Sequence, residues 1–152
     1  MDKILYYLYI ALTYVPLKLR YRGLRNLRFN GHGIAIVGAK NMQVGVGSYL
    51  SYNTRIYVGR DSKLIIGDRV SIGHNVRIYT VKVNLNKYLE SGIKESIEND
   101  VVIGTDVTIA GNVYVAPGVS ICDKVFIGAN SVVVKDIRES GVYSGVPAKK
   151  IK

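Results

Sequence analysis

Residues 103–137 read IGTDVTIAGNVYVAPGVSICDKVFIGANSVVVKDI. An aliphatic residue returns at every sixth position: Ile103, Ile109, Val115, Ile121, Ile127 and Val133. Four residues after each stands a small or β-branched residue: Val107, Val113, Val119, Val125, Ser131 and Ile137. A period of six matches neither the 3.6 of a helix nor plain two-residue alternation. It matches short strands joined by corners, in which the aliphatic points inward and Gly or Asn turns the chain. Three hexads close one coil of about 18 residues, and successive coils stack about 4.8 Å apart. Stacking buries a continuous aliphatic column that no single repeat could bury alone.

Upstream, Ile66, Ile72 and Ile78 repeat the pattern, with Val70 and Val76 as partners and Gly67 and Gly73 after the aliphatics. A looser series, Val46, Tyr52, Val58 and Leu64, extends it toward the N-terminus. Between Ile78 and Ile103 the spacing is four hexads plus one residue. Residues 81–99 (VKVNLNKYLESGIKESIEN) are polar and charged and lose the period. They read as a loop thrown out from the coil, and a long loop on a rigid scaffold is where function usually sits.

The chain has 152 residues, enough for one domain, and its 48% apolar content excludes intrinsic disorder. A single cysteine, Cys122, excludes a disulfide framework and a multi-cysteine metal site within the chain. It reads as a small corner residue and permits a reducing, cytoplasmic setting. The net charge of +10 points to an anionic partner. That charge is uneven: residues 1–40 hold seven basic groups and one acid, Asp2, whereas residues 41–152 hold 14 basic and 10 acidic groups. The body therefore carries too little excess charge to read as a nucleic-acid binder. No GxxxxGK[ST] or GxGxxG loop occurs.

Residues 1–29 read as an amphipathic basic segment and 30–152 as the β-helical domain. Residues 4–17, ILYYLYIALTYVPL, are too few to span a bilayer, which needs roughly 20. Pro16 is expected to end a short helix near Val15. The basic stretch KLRYRGLRNLR follows. Two readings of residues 1–28 stay open: an apolar side packed on the body or a neighbouring subunit, or a surface helix lying on the anionic inner face of a membrane.

The hexads of 66–80 and 103–137, the interrupting loop and the ending IGANSVVVKDIRESGVYSGVPAKKIK resemble the hexapeptide-repeat acyltransferases, above all the maltose/galactoside and capsular polysaccharide O-acetyltransferases. The resemblance covers roughly residues 30–152, and GANSVV…KD…GVPAK is its most specific part. It implies a left-handed parallel β-helix, a homotrimer with active sites between neighbouring subunits, and acetyl-CoA as the acyl donor. No metal is implied. The donor-side positions that match are Gly111, Ala129, Lys135, Lys149 and Lys152. Small residues let a pantetheine arm approach the backbone, and lysines meet phosphates.

The acceptor side departs from that pattern. Where the family places its catalytic histidine, at the start of the loop, this chain has Val83 in the run Ile78-Tyr79-Thr80-Val81-Lys82-Val83. Valine accepts no proton, and a hydroxyl is a poor nucleophile without a base. Ser51 aligns with an acceptor-orienting Asn of relatives, and Thr108 with a channel-lining indole. Only His32 and His74 remain as histidines. His74, in Ile72-Gly73-His74-Asn75, is the candidate base, since a neutral imidazole suits that work near pH 7. It stands nine residues before Val83, half a coil away, so the two should occupy different corners. Asp61 and the loop carboxylates Glu90, Glu95 and Glu98 are the other candidates, with Asp61 and Ser51 also placed toward the acceptor.

Two function classes follow. One is an acetyl-CoA-dependent acetyltransferase acting on a sugar hydroxyl or amino group of a cell-surface polysaccharide or its precursor. The other is a non-catalytic trimeric β-helix that binds or scaffolds without a base.

Overall fold

The computed structural model describes residues 3–152, the Ile10 side chain excepted; Met1 and Asp2, which open the basic segment, lie outside the described residues. Its body is all-β. The short strands fall in strict rotation onto three parallel sheets, as a chain winding round a three-sided prism must. The first face stacks Arg28–Asn30, Tyr49–Ser51, Ser71–Ile72, Thr108–Ile109, Val125–Ile127 and Gly141–Ser144. The second stacks Ala35–Val37, Arg55–Tyr57, Arg77–Tyr79, Tyr114–Val115 and Val132–Val133. The third stacks Met42–Val44, Leu64–Ile66, Val101–Ile103 and Ser120–Ile121, with Ile137 bridging Ile121 beyond it. A final strand, Lys149–Lys150, runs antiparallel on the first face.

Register explains the period. Ile72 pairs with Ile109 and Ile109 with Ile127, so one inward column runs along the first face. Ile78 and Val133 flank Val115 on the second face, and Ile66 and Ile121 flank Ile103 on the third. All nine are buried. The partners four residues on are buried as well, Val70, Val76, Val107, Val113, Val119, Val125 and Ile137 with the hydroxyl of Ser131 among them. Each fully buried aliphatic removes apolar surface worth roughly 1.5–3 kcal/mol from water.

The looser upstream series holds for Val58 and Leu64, both buried, and fails for its first two members. Val46 and Tyr52 are exposed, and the inward residues of those coils are Leu50 and Ile56. Leu50 pairs with Ile72 and Ile56 with Ile78, a longer step than the later coils take. The extra residues lie between Ile56 and Leu64, where Val58–Lys63 form a widened corner, and a uniform hexad count therefore slips in register.

Two further expectations change. Helix α1 spans Lys3–Arg20 and continues through Pro16. Proline removes one helical hydrogen bond, but Leu17 packs on the core beyond it and Tyr21 is buried there, its hydroxyl accepting from the Ile36 N–H at 2.9 Å. Tertiary packing holds the helix where the local signal would stop it. Residues 81–99 are also structured. Val81–Val83 and Ser96–Glu98 form an antiparallel ribbon. Between them lies α2, Leu85–Ser91, capped by the Asn84 side chain, which accepts from Lys87 N–H, and closed by Gly92 in the left-handed conformation.

The three ridges differ in chemistry. Between the first and second faces, Asn53, Asn75, Asn112 and Asn130 take φ of 55–61°, which Asn tolerates best among residues with a Cβ. Their amides form a ladder, Asn75 Nδ2 donating to Asn112 Oδ1 at 3.0 Å and Asn112 Nδ2 to Asn130 Oδ1 at 3.1 Å. The ridge between the third and first faces carries the fork of Arg69 on Asp106, at 2.6 and 2.8 Å. The ribbon and α2 leave from the ridge between the second and third faces.

The corrected register has a direct consequence. Leu50→Ala should cost about 3 kcal/mol in urea unfolding, whereas Val46→Ala should cost under about 0.5 kcal/mol. Equal costs would restore the uniform hexad reading.

Candidate active site

Four of the residues singled out above share the ridge between the first and second faces. Ser51 ends a first-face strand, and the next positions of successive coils are Tyr52, His74, Gly111 and Ala129, as the pairings of Leu50, Ile72, Ile109 and Ile127 require. His74 is seated on Gly111. A Cβ built on Gly111 would lie 2.5 Å from the imidazole Cε1 and 2.7 Å from Nε2, so the ring in this position lies directly over the glycine. Gly111 is thus covered by the histidine, while Ala129, one coil further, is exposed. His74 is exposed, and among the described residues its ring nitrogens have no hydrogen-bond partner.

The same ridge continues downward as an aromatic cluster. Tyr52 contacts the His32 ring edge-on at 5.2 Å, and Tyr9 Oη lies 3.3 Å from His32 Nδ1. His32 thus has a packing partner on each side. Burial, followed by the charge of Tyr52, pushes the Tyr9 and Tyr14 phenols above their ordinary range.

The remaining candidates lie elsewhere. Lys135 and Asp61 belong to the ridge between the second and third faces. Lys149 sits on the appended strand opposite Ser144, near the upper end of the histidine ridge. Lys152 is held by its backbone, its carbonyl accepting from Val142 N–H at 2.8 Å. Lys150 is engaged with Glu139 at 2.9 Å.

The ribbon of residues 81–99 folds back over the second face and roofs a groove of about 460 Å³. Its walls include Tyr57, Tyr79, Val81 and Val83, and Arg55 and Lys82 supply two cations. Tyr57 and Tyr79 meet edge-on at 6.5 Å, and Tyr79 and Tyr114 at 5.7 Å. Burial raises the Tyr114 phenol above its usual value. This tyrosine row escaped the sequence reading because the longer early coils hide the spacing that brings Tyr57 opposite Tyr79. His74 and Val83 do occupy different ridges, and the groove that Val83 lines does not include His74.

Of the loop carboxylates, Glu98 is a clasp. It accepts from Asp61 N–H at 2.8 Å, Ser62 Oγ at 3.0 Å and Arg60 N–H at 3.3 Å. Ser62 Oγ in turn lies 2.7 Å from Thr80 Oγ1, which accepts from Gly59 N–H. The Asp61 bond, ahead of the others, holds the Glu98 carboxyl below the usual range, the reverse of what a base at neutral pH needs. The carboxylate rests against Gly59, where any Cβ would collide with it. Glu95 pairs with Lys87 at 2.5 Å. Asp61 therefore anchors the loop through its N–H. No group of three or more metal-ligating side chains occurs among the described residues.

Comparison with known proteins follows the same architecture. The model for the bacterial transferase hexapeptide family (six repeats) matches residues 97–135. The maltose O-acetyltransferase of Clostridium difficile 630 is 32% identical and superposes with a TM-score of 0.75, covering 87% of this chain and 71% of that one. The chain belongs to the hexapeptide-repeat transferase family. A hexapeptide-repeat acetyltransferase of Vibrio cholerae, VCA0836, solved with acetyl coenzyme A, gives a TM-score of 0.77 at 25% identity over 93% of this chain and 78% of that one. Galactoside O-acetyltransferase of Escherichia coli K12 is 34% identical over 68% of this chain and 57% of its own length. The chain spans about half the length of the curated relatives it matches in this way.

The clasp makes an acid-sensitive prediction. A carboxyl whose folded pKa is lowered stabilises the fold above its unfolded value, about 4.3, and loses that contribution as pH falls through the folded value. The melting temperature of Glu98→Gln should therefore lie below that of the parent at pH 6–7, with the gap closing below about pH 4. A gap that does not change with pH would contradict the clasp.

Proposed function

We propose that this protein transfers an acetyl group from acetyl-CoA to a sugar hydroxyl or amino group of a cell-surface polysaccharide or its precursor. It does so in the cytoplasm as a homotrimer of left-handed β-helices. The likeness of nearly the whole chain to the acetyl-CoA complex of VCA0836 carries this reading. Relatives named as sugar acetyltransferases support the acceptor class. A scaffold without turnover has less behind it, because the relatives it most resembles are named as acetyltransferases.

His74 is the proposed base, in place of a histidine at Val83. Its imidazole takes the acceptor proton as the acceptor oxygen, or an amine nitrogen, bonds to the thioester carbonyl carbon. It returns that proton to sulfur as the C–S bond breaks, so the products are the acetylated sugar and the free thiol of CoA. Ser51, one position before Tyr52 on the same ridge, is the proposed acceptor contact. Ala129 leaves the ridge open for the pantetheine arm beyond His74, and Lys149 and Lys152 supply charge for the CoA phosphates at the upper end. Gly111 contributes by seating the base. Asp61 and Lys135, on the other ridge, join a site only if a second subunit brings that ridge alongside His74. The groove beneath the ribbon, with Val83 in its wall, would come with it.

The test is in two stages. Acetyl-CoA at 100 times its dissociation constant should stabilise the protein by about 2.7 kcal/mol, a rise of roughly 5–10 °C in melting temperature. With a sugar panel, thiol release should fall about 100-fold or more in His74→Ala, with the acetyl-CoA shift retained. No shift with acetyl-CoA would support the scaffold reading, and unchanged turnover in His74→Ala would remove His74 as the base.

A further inference from the structure

Helix α1 carries two apolar stripes, and the body uses only one. Thr13, Tyr14 and Leu17 are half-buried, and Tyr14 and Leu17 pack against the core. On the opposite side Leu5, Leu8, Leu12, Val15 and Leu19 follow one another at steps of 3, 4, 3 and 4, the spacing that keeps a stripe on one side of a helix. All five are 48–74% exposed. Five large aliphatics in one row form an apolar patch that an isolated protein in water does not sustain without a partner.

The charge beside the stripe indicates what that partner is. The helix contains no acidic residue, and basic residues occupy its last turn. Lys18 of that turn, with Arg22 and Arg25 just after the helix, lines one cleft of about 310 Å³ together with Tyr21, Leu24 and Phe29. Among the described residues none of these three cations has an acidic partner. Pairing the stripe with the same stripe of a second copy would bring no carboxylate of either helix to Lys18, Arg22 or Arg25. An anionic lipid surface meets both demands: acyl chains cover the stripe and headgroup phosphates meet Lys18, Arg22 and Arg25. The tyrosines near the start of the helix, Tyr6 and Tyr7, suit the boundary between the two. No described helix is long and apolar enough to cross a membrane, so the contact is along the surface.

We infer that α1 docks this protein on an anionic phospholipid bilayer, lying in the interface plane through the Leu5–Leu8–Leu12–Val15–Leu19 stripe with Lys18, Arg22 and Arg25 on the headgroups. This inference does not rest on acetyl transfer. The test is flotation of the full chain with vesicles of phosphatidylcholine alone or mixed with phosphatidylglycerol, with mass in solution followed by light scattering. The protein should float with the anionic vesicles at least tenfold more than with the neutral ones, and less so in high salt. Leu8→Glu with Leu12→Glu should abolish flotation at unchanged melting temperature and mass, since neither side chain is in the core. Lys18→Gln with Arg22→Gln and Arg25→Gln should weaken it about tenfold or more. Equal recovery with neutral and anionic vesicles would overturn the inference. So would a leucine variant that changes the mass in solution but not flotation, which would assign the stripe to a second copy.

Discussion

Everything in this molecule is placed by the pairing of one coil's backbone with the next. Each strand is only two to four residues long, far below what would persist alone, and gains stability because its main chain bonds to the coil below and the coil above. That ladder holds only if every coil turns its aliphatic residue to the axis at the same height. The inward columns, Leu50–Ile72–Ile109–Ile127 on the first face and Ile56–Ile78–Val115–Val133 on the second, satisfy that condition with almost no exposed surface. Side chains at the ridges are then fixed by rank in the stack. A histidine in one coil and a glycine in the next become a seat without any contact specified between them in sequence.

That constraint also decides what could be read in advance. Where coils are uniform, from Ile103 to Ile137, the period names the core residue by residue. Where the corner between Ile56 and Leu64 is widened, counting in sixes lands on Val46 and Tyr52, both exposed. Pro16 gives a strong local stop signal that Leu17 and Tyr21 override through contacts invisible in the helix itself. The ribbon and α2 within residues 81–99 are a different case: Asn84 and Gly92 are ordinary cap residues, but short strands such as VKV and SIE leave no period long enough to detect. Glu98 was legible as a charge and not as a clasp, because its partners come from residues 60–62, more than 30 positions away.

The candidate site was legible in composition more than in geometry. With only two histidines, His74 stood out by elimination, yet its relation to Gly111 depends on a coil enlarged by the ribbon and helix between them. The residues expected around one centre separate onto two ridges: Ser51, His74, Gly111 and Ala129 on one, Asp61, Lys135 and the ribbon bearing Val83 on the other. A three-sided prism cannot bring two of its own ridges together. Only a second prism set alongside could, which is the arrangement the proposed function requires.

The most direct measurement is therefore subunit complementation. Chains with His74→Ala are co-expressed with chains in which residues 84–95 are replaced by a short glycine linker, and the mixed assemblies are purified with two different tags. Each parent should be inactive in thiol release from acetyl-CoA. The mixed assemblies should regain a substantial fraction of parental turnover, because some interfaces pair an intact His74 ridge with an intact ribbon from the neighbouring chain. Mixed assemblies no more active than the two parents would contradict a site shared between subunits.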